Sequence, residues 1–282
     1  MTDEPDVRPS PIAGTWYPSN SGLLRQSIQG YLDSVPATSI NGKVFGIIVP
    51  HAGHQYSGKT AAAAFKLLDG LQIPLAAVVS PAHQPVPGKL VTTAHSAYGT
   101  PLGMIPVSSK VDQLKDLLEK SFQLELSMLH RDHEHSLEIE LPFLQQVLGG
   151  DFELLPVMLA DQSIRTARSL GLALAEVLRD EEVIIIASTD LSHFNARDQA
   201  VQFDTEMLRR IEAFDPEGVI RAEEQQVGFA CGRGAAAAVL WACRELGADS
   251  VQVLDYSTSG DTTGDYSSVV GYGSAVIFKE EP

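Results

Sequence analysis

Three short apolar runs of this chain each end in a polar cluster that contains histidine. VFGIIVP (44–50) runs into HAGHQYSG, LAAVVSP (75–81) into AHQPVPG, and EVIIIAS (182–188) into TDLSHFN. Imidazole is the commonest side-chain ligand of zinc, copper and iron, and it exchanges protons near neutrality. His51 and His83, at equivalent positions after two of these runs, are therefore expected as metal ligands. His193, with an ordinary pKa of about 6.5, is expected as a general acid or base. Asp190, three residues earlier, can orient that imidazole or face the same pocket; the bland alternative is a helix-capping Asp beside a surface histidine.

Cys231 precedes Gly232-Arg233-Gly234 and a long apolar segment, which sets its sulfur at a helix N-terminus. There the backbone N–H groups and the helix dipole favour thiolate, the form that binds metal. The competing reading is a small buried hydrophobe, the usual fate of a free cysteine, and spacing does not separate the two. Cys243 lies inside AAAAVLWACRELG with no polar neighbour on its face, so it belongs to the core. The densest polar cluster is HRDHEHSLEIE (130–140). Ser136 with Glu138 and Glu140 reads in part as a helix start, and solvated charges explain most of the rest. Of this cluster His135 and Glu138 are expected to line the pocket, and His130 and His133 to lie on the surface. GHQYSGKT (53–60) matches the phosphate-binding pattern G-x-x-x-x-G-K-[ST] after a strand. Its His, Gln and Tyr make a bulky interior for a phosphate cradle, and nucleotide binding stays a minor alternative.

To bring such clusters together the chain needs strands in register, and its apolar order supplies them. Strand-like 44–50, helix-like 57–70 and strand-like 75–81 follow one another as βαβ. Helical periodicity recurs at 111–122 and at 136–149, where Pro142 must sit near the first turn or kink the helix. A strand over 152–160, a Ser-capped amphipathic helix over 163–180 and a buried strand over 182–188 come next. Helices at 198–213, 216–226 and 232–248 and closing strands at 251–259 and 268–278 complete the pattern. No repeat or linker divides it, so the expectation is one α/β domain over 1–282, a mixed sheet with helices on both faces. In open α/β sheets ligands bind outside the carboxyl ends of the strands, so the three histidine clusters should meet in one crevice.

Composition narrows the function classes. The formal charge is −16, from 20 Lys and Arg against 36 Asp and Glu. Such a field repels phosphate backbones and anionic lipid surfaces, so neither nucleic acid nor membrane is expected as a partner. The start MTDEPDVRPSP lacks a signal-peptide pattern, no apolar run reaches membrane-spanning length, and two cysteines make no disulfide framework. A cytoplasmic location is expected.

PHAGHQYSG (50–58), SPAHQP (80–85), EHSLEIELPF (134–143), LLPVML (154–159), STDLSH (188–193), ACGRG (230–234) and VVGYGSAVIF (269–278), with AGTWYPS (13–19) ahead of them, make the chain resemble the Memo family over nearly its whole length. The resemblance implies a fold like that of class III extradiol ring-cleavage dioxygenases, enzymes of non-haem iron(II). It implies His51, His83 and Cys231 as the metal ligands, a thiolate replacing the carboxylate of the facial triad. Softer ligation suits iron(II) and also admits copper or zinc. It further implies His193 with Asp190 as the acid/base pair and Trp16 and Tyr56 as pocket walls. Ala82 and Gln84 beside His83, and His54, depart from the family pattern and are expected to alter the pocket lining. Partners implied by resemblance are a radical-SAM protein and an AMMECR-type protein. Three functions follow: a metal-dependent oxidoreductase on a small molecule, a non-catalytic scaffold binding a peptide or protein in the same pocket, and a zinc-dependent hydrolase.

Overall fold

The apolar runs become central strands because their side chains alternate between two covered faces. The computed structural model describes residues 6–149 and 151–281. The chain opens with strand β1 (Val7–Arg8) and helix α1 (Ser21–Ser34), where Asn20 caps the helix by accepting from the Leu23 N–H at 3.0 Å. β2 (Gly42–Val49), α2 (His54–Phe65) and β3 (Leu75–Pro81) follow. Short strands β4 (Leu90–Thr93), β5 (Ala97–Thr100) and β6 (Gly103–Pro106) lead to α3 (Lys110–Leu117) and β7 (Leu126–Leu129). Then come α4 (Leu141–Val147), β8 (Glu153–Leu159), α5 (Ile164–Leu178), β9 (Val183–Ser188) and β10 (His193–Asn195). α6 (Arg197–Glu212), α7 (Pro216–Glu224), α8 (Arg233–Glu245), β11 (Ser250–Thr258), α9 (Gly260–Thr263) and β12 (Val269–Glu280) close the chain.

The main sheet runs β10-β12-β2-β9-β3-β8-β4-β7, with β11 also paired to β12; β1, β5 and β6 form a small separate sheet. β2, β9, β3 and β8 are parallel, and β12 and β4 flank them antiparallel, so the sheet is mixed. Ile47, Val49, Ala76, Val78, Ile184 and Ile186 pack with Leu24 and Ile28 of α1, Phe65 of α2 and Phe143 of α4. Ile48, Ala77, Val79, Ile185 and Ala187 face the other way, onto α5 and α8 through Leu170, Leu174, Ala235 and Val239. Each fully buried Val, Leu or Ile here contributes about 1.5–3 kcal/mol. Cys243 is wholly buried in the second of these layers, as core packing requires.

Two expected helices come out shorter. The 111–122 segment loosens after Leu117 into a π-type turn over Leu118–Phe122. In the 136–149 segment Pro142 has no N–H to donate and occupies the first turn of α4, behind a 3-10 turn over Glu138–Glu140. The register places Val49 beside Ser188, and Ala187 beside Val79, so β2, β9 and β3 end level with one another. Among the described residues no helix is long and apolar enough to cross a membrane.

Candidate metal centre

Because those three strands end together, the residues after them share one crevice. His51 follows β2, His83 follows β3, and Asp190 follows β9, whose Thr189 N–H donates to the Val49 carbonyl at 2.8 Å. The sulfur arrives from elsewhere. Cys231 sits on the turn before α8, and its N–H donates to the Asp190 carbonyl at 3.2 Å. That turn lies so close to β9 that a Cβ on Gly232 would stand 2.4 Å from the Ser188 carbonyl oxygen. Gly232→Ala must therefore lift the turn and its cysteine. The expected outcome is a loss of about 1–3 kcal/mol of stability, measured by denaturant unfolding.

One donor atom from each of His51, His83 and Cys231 lies within 4.8 Å of the others, and His51 Nε2 is 3.0 Å from Cys231 Sγ. Hydrogen bonds decide which imidazole nitrogens are free. Ser188 spends its own proton on the Ser136 carbonyl at 2.5 Å, so its Oγ accepts from His51 Nδ1–H at 2.9 Å. Glu140 Oε1 lies 2.9 Å from the same hydroxyl, and burial pushes that carboxyl well above the usual range. His83 Nδ1–H donates to Glu134 Oε1 at 2.9 Å while its backbone N–H donates to Oε2 at 2.6 Å. Both histidines thus keep Nε2 as the open nitrogen, held by an outer group, the arrangement typical of metal-ligating imidazoles. Burial alone would raise Glu134, but the His83 hydrogen bonds and the Ser136 N–H overrule it and hold the carboxylate well below its ordinary range.

Glu134 also belongs to a second three-donor group with His83 and His135. Its oxygens are already taken by His83, by the His135 N–H at 3.0 Å and by the Ser136 N–H at 3.1 Å. It reads as the orienter of His83. Glu134→Ala is expected to weaken metal uptake by roughly 10–100-fold, measured by competition against a chelator.

The electrostatics of the crevice suppress charge on His51 and Cys231. Burial, and then the neighbouring His83 and His135, push His51 well below the ordinary imidazole value. Burial brings His135 down to about 4, and burial with His83 lowers His193. Burial raises Asp190 to about 7, although the N–H groups of His51 and Ala52 pull the other way. Without metal, burial and the Asp190 carboxyl push the Cys231 thiol up, against the Asp190 and Gly232 N–H groups and the Thr189 hydroxyl, so the helix terminus alone does not set its charge. Only a positive charge brought to Nε2 and Sγ would reverse that balance.

A cavity of about 370 Å³ opens over these groups, lined by His51, His83, His135, Asp190 and His193 and walled by Trp16, Tyr56, Phe194, Val270 and Tyr272. His135 lies between Trp16 and His83, with ring centroids 4.2 and 4.7 Å away. His193 and Asp190 share the cavity, yet Asp190 accepts from the His51 N–H at 2.7 Å and does not orient the His193 ring. Glu138 is placed elsewhere. It is fully buried, accepting from Arg8 at 2.5 Å, from the Tyr17 hydroxyl at 2.6 Å and from Ser10, so the expectation that it lines the pocket is corrected. His54, Ala82 and Gln84 do not line it either. His54 turns inward, donating from Nε2 to the Ile139 carbonyl at 3.1 Å. His130 and His133 are exposed.

The nucleotide reading fails on geometry. A phosphate cradle needs an open loop, whereas His54 to Thr60 already lie in α2, and a Cβ on Gly58 would stand 2.9 Å from the Tyr31 ring. That glycine serves helix packing.

A family model described as Memo-like protein matches residues 8–276. A MEMO1 family protein of Nitrosopumilus maritimus is 34% identical over 272 residues, covering 95% of this chain and 98% of that protein. One from Methanopyrus kandleri is 35% identical over 278 residues, covering 95% and 97%, and one from Aquifex aeolicus is 33% identical over 267 residues, covering 94% and 97%.

Proposed function

The chain belongs to the Memo-like protein family, and on that premise we propose that it is a mononuclear metal-dependent oxidoreductase acting on a small organic molecule. The observation that carries the reading is the convergence of His51, His83 and Cys231, from three separate places in the chain, with both imidazoles already committed at Nδ1. The donor set fits a metal of the iron, copper or zinc group. Iron(II) is the first choice, and when bound it would supply one-electron chemistry toward O2, where copper offers a related redox couple and zinc only a Lewis acid.

The protein's own residues do the rest. His51 Nε2, His83 Nε2 and Cys231 Sγ would hold the ion, and Ser188 and Glu134 keep the two rings from rotating away. Trp16, Tyr56 and Tyr272 exclude water from one side of the cavity. His193, kept neutral by partial burial and by His83, accepts a substrate proton at a ring nitrogen. Asp190, which accepts from the His51 N–H at 2.7 Å, borders the same cavity and sets a carboxyl beside the ligands.

Metal content of protein purified without oxygen, followed by O2 uptake with catechols and other small reductants, tests this. Protein without metal ends the reading, and bound zinc with activity independent of O2 turns it into hydrolysis. Uptake also has a pH signature. His51 is neutral and the Cys231 thiol is protonated, so binding displaces the thiol proton; Asp190, half protonated near pH 7, has given up most of its own proton only above pH about 8. Affinity is therefore expected to rise about tenfold per pH unit above pH about 8, with the released proton read by an indicator dye in weak buffer.

A second reading rests on one further feature. The cavity adjoins, across Gln55 and Tyr56, a groove of about 840 Å³ that could seat an extended peptide. Binding of a peptide that survives both His51→Ala and Cys231→Ala would favour such a scaffold. Association with radical-SAM and AMMECR-type proteins belongs to the same proposal and is open to co-purification.

A further inference from the structure

The walls of the metal cavity differ from its floor. Four aromatic side chains, Trp16, Tyr56, Phe194 and Tyr272, line it together with Val270 and the Asp190 carboxyl, and no Lys or Arg does among the described residues. Of the imidazoles, His51 and His83 are reserved for metal under the proposed function, and His135 is stacked between Trp16 and His83.

Phe194 marks the mouth as built for contact. It is 78% exposed and holds φ at 60°, the left-handed region that a bulky side chain adopts only at a cost. β10 shifts register against β12 between His193 and Asn195, on either side of it. Its ring stands edge-on to His193, centroids 5.5 Å apart, and leaves an apolar face at the cavity mouth that an entering ligand can cover.

Aromatic faces carry negative charge density and attract cations, more strongly where water is excluded. With the Asp190 carboxyl beside them, these walls favour a positive group over an anion in the metal-free cavity, a preference that a cation bound on the floor would oppose. Arg233, the cation of the neighbouring cavity beyond His193, is paired with Glu223 at 3.0 Å and does not line this one. The volume, about 370 Å³, is that of a small molecule.

We infer that the substrate of this site is a small molecule with a flat apolar body and a protonated amine, the amine seated among the aromatic walls beside Asp190. The inference rests on the proposed function for its claim that this ligand is turned over. It does not rest on it for binding.

Phenethylamine, 2-phenylethanol and phenylacetate share one body and differ in charge; because a carboxylate or an amine can also coordinate metal, the metal-free protein gives the deciding comparison. Their affinities for the full chain are to be measured by ligand-observed NMR, before and after metal removal. Phenethylamine is expected to bind at least tenfold more tightly than phenylacetate, and Tyr272→Leu to narrow that margin with its folding checked by thermal melt. Equal or tighter binding of phenylacetate, or no binding of any probe, overturns the inference. If phenylacetate wins while metal content and O2 uptake persist, the amine falls and the oxidoreductase stands; if the amine preference holds in a chain that takes up no metal, the reverse is true.

Discussion

Cys231→Ser is expected to abolish stable metal uptake while leaving the fold intact. The hydroxyl is a hard, weakly acidic donor where a soft thiolate is needed. Losing a ligand should cost more than the roughly 10–100-fold that loss of an orienting partner costs, so protein carrying near-stoichiometric metal should leave purification nearly empty. Stability should change little, because the Cys231 side chain contacts the Asp190 N–H at 3.3 Å and the His51 ring, with no large apolar surface at stake. Metal analysis beside a thermal melt separates the two effects. Cys243→Ser is the control: it places a hydroxyl in a fully apolar layer and should lower stability without emptying the site.

The largest stability effect is expected at Arg8, in β1. Its guanidinium is buried and donates to both Asp132 oxygens at 2.8 and 2.5 Å, to Glu138 at 2.5 Å and to the Glu134 carbonyl at 2.8 Å, and it lies 4.8 Å over the Tyr98 ring. Arg8→Met leaves the Glu138 carboxyl buried without its cation, a loss of about 3–5 kcal/mol, or of order 10 °C in Tm for a chain of this size. Arg8 also ties down the segment that carries Glu134 and His135, so metal affinity should fall with it. Combining Arg8→Met with Glu138→Leu removes one of the two orphaned carboxylates, Asp132 being the other, and should recover part of the stability.

The strands that build the crevice were legible because burial on both faces leaves continuous apolar runs, and His51, His83 and His193 stand where those runs stop. Order along the chain does not reveal that β9 lies between β2 and β3, yet that insertion brings Asp190 against His51. Glu138 misled because its spacing from Ser136 fits a helix start on a pocket rim, while its actual partner, Arg8, is 130 residues away. Ser188 and Glu140 gave no signal: a serine and a glutamate at strand and helix ends are ordinary, and only their distances to His51 and to each other assign them a part. A clue to Glu134 was present, as the acid beside His135 in EHSLEIE, but local density could not say which histidine it serves. The helix N-terminus ahead of Cys231 is visible in sequence, whereas the desolvation that raises its thiol in the metal-free site is not.

Diffraction at the absorption edge of the metal found in protein purified without oxygen tests the three-ligand site most directly. A single anomalous peak is expected, bonded at about 2.0–2.3 Å to His51 Nε2, His83 Nε2 and Cys231 Sγ. A peak held by His83, Glu134 and His135 with the cysteine turned away, or no peak between His51 and Cys231 in metal-loaded crystals, would contradict it.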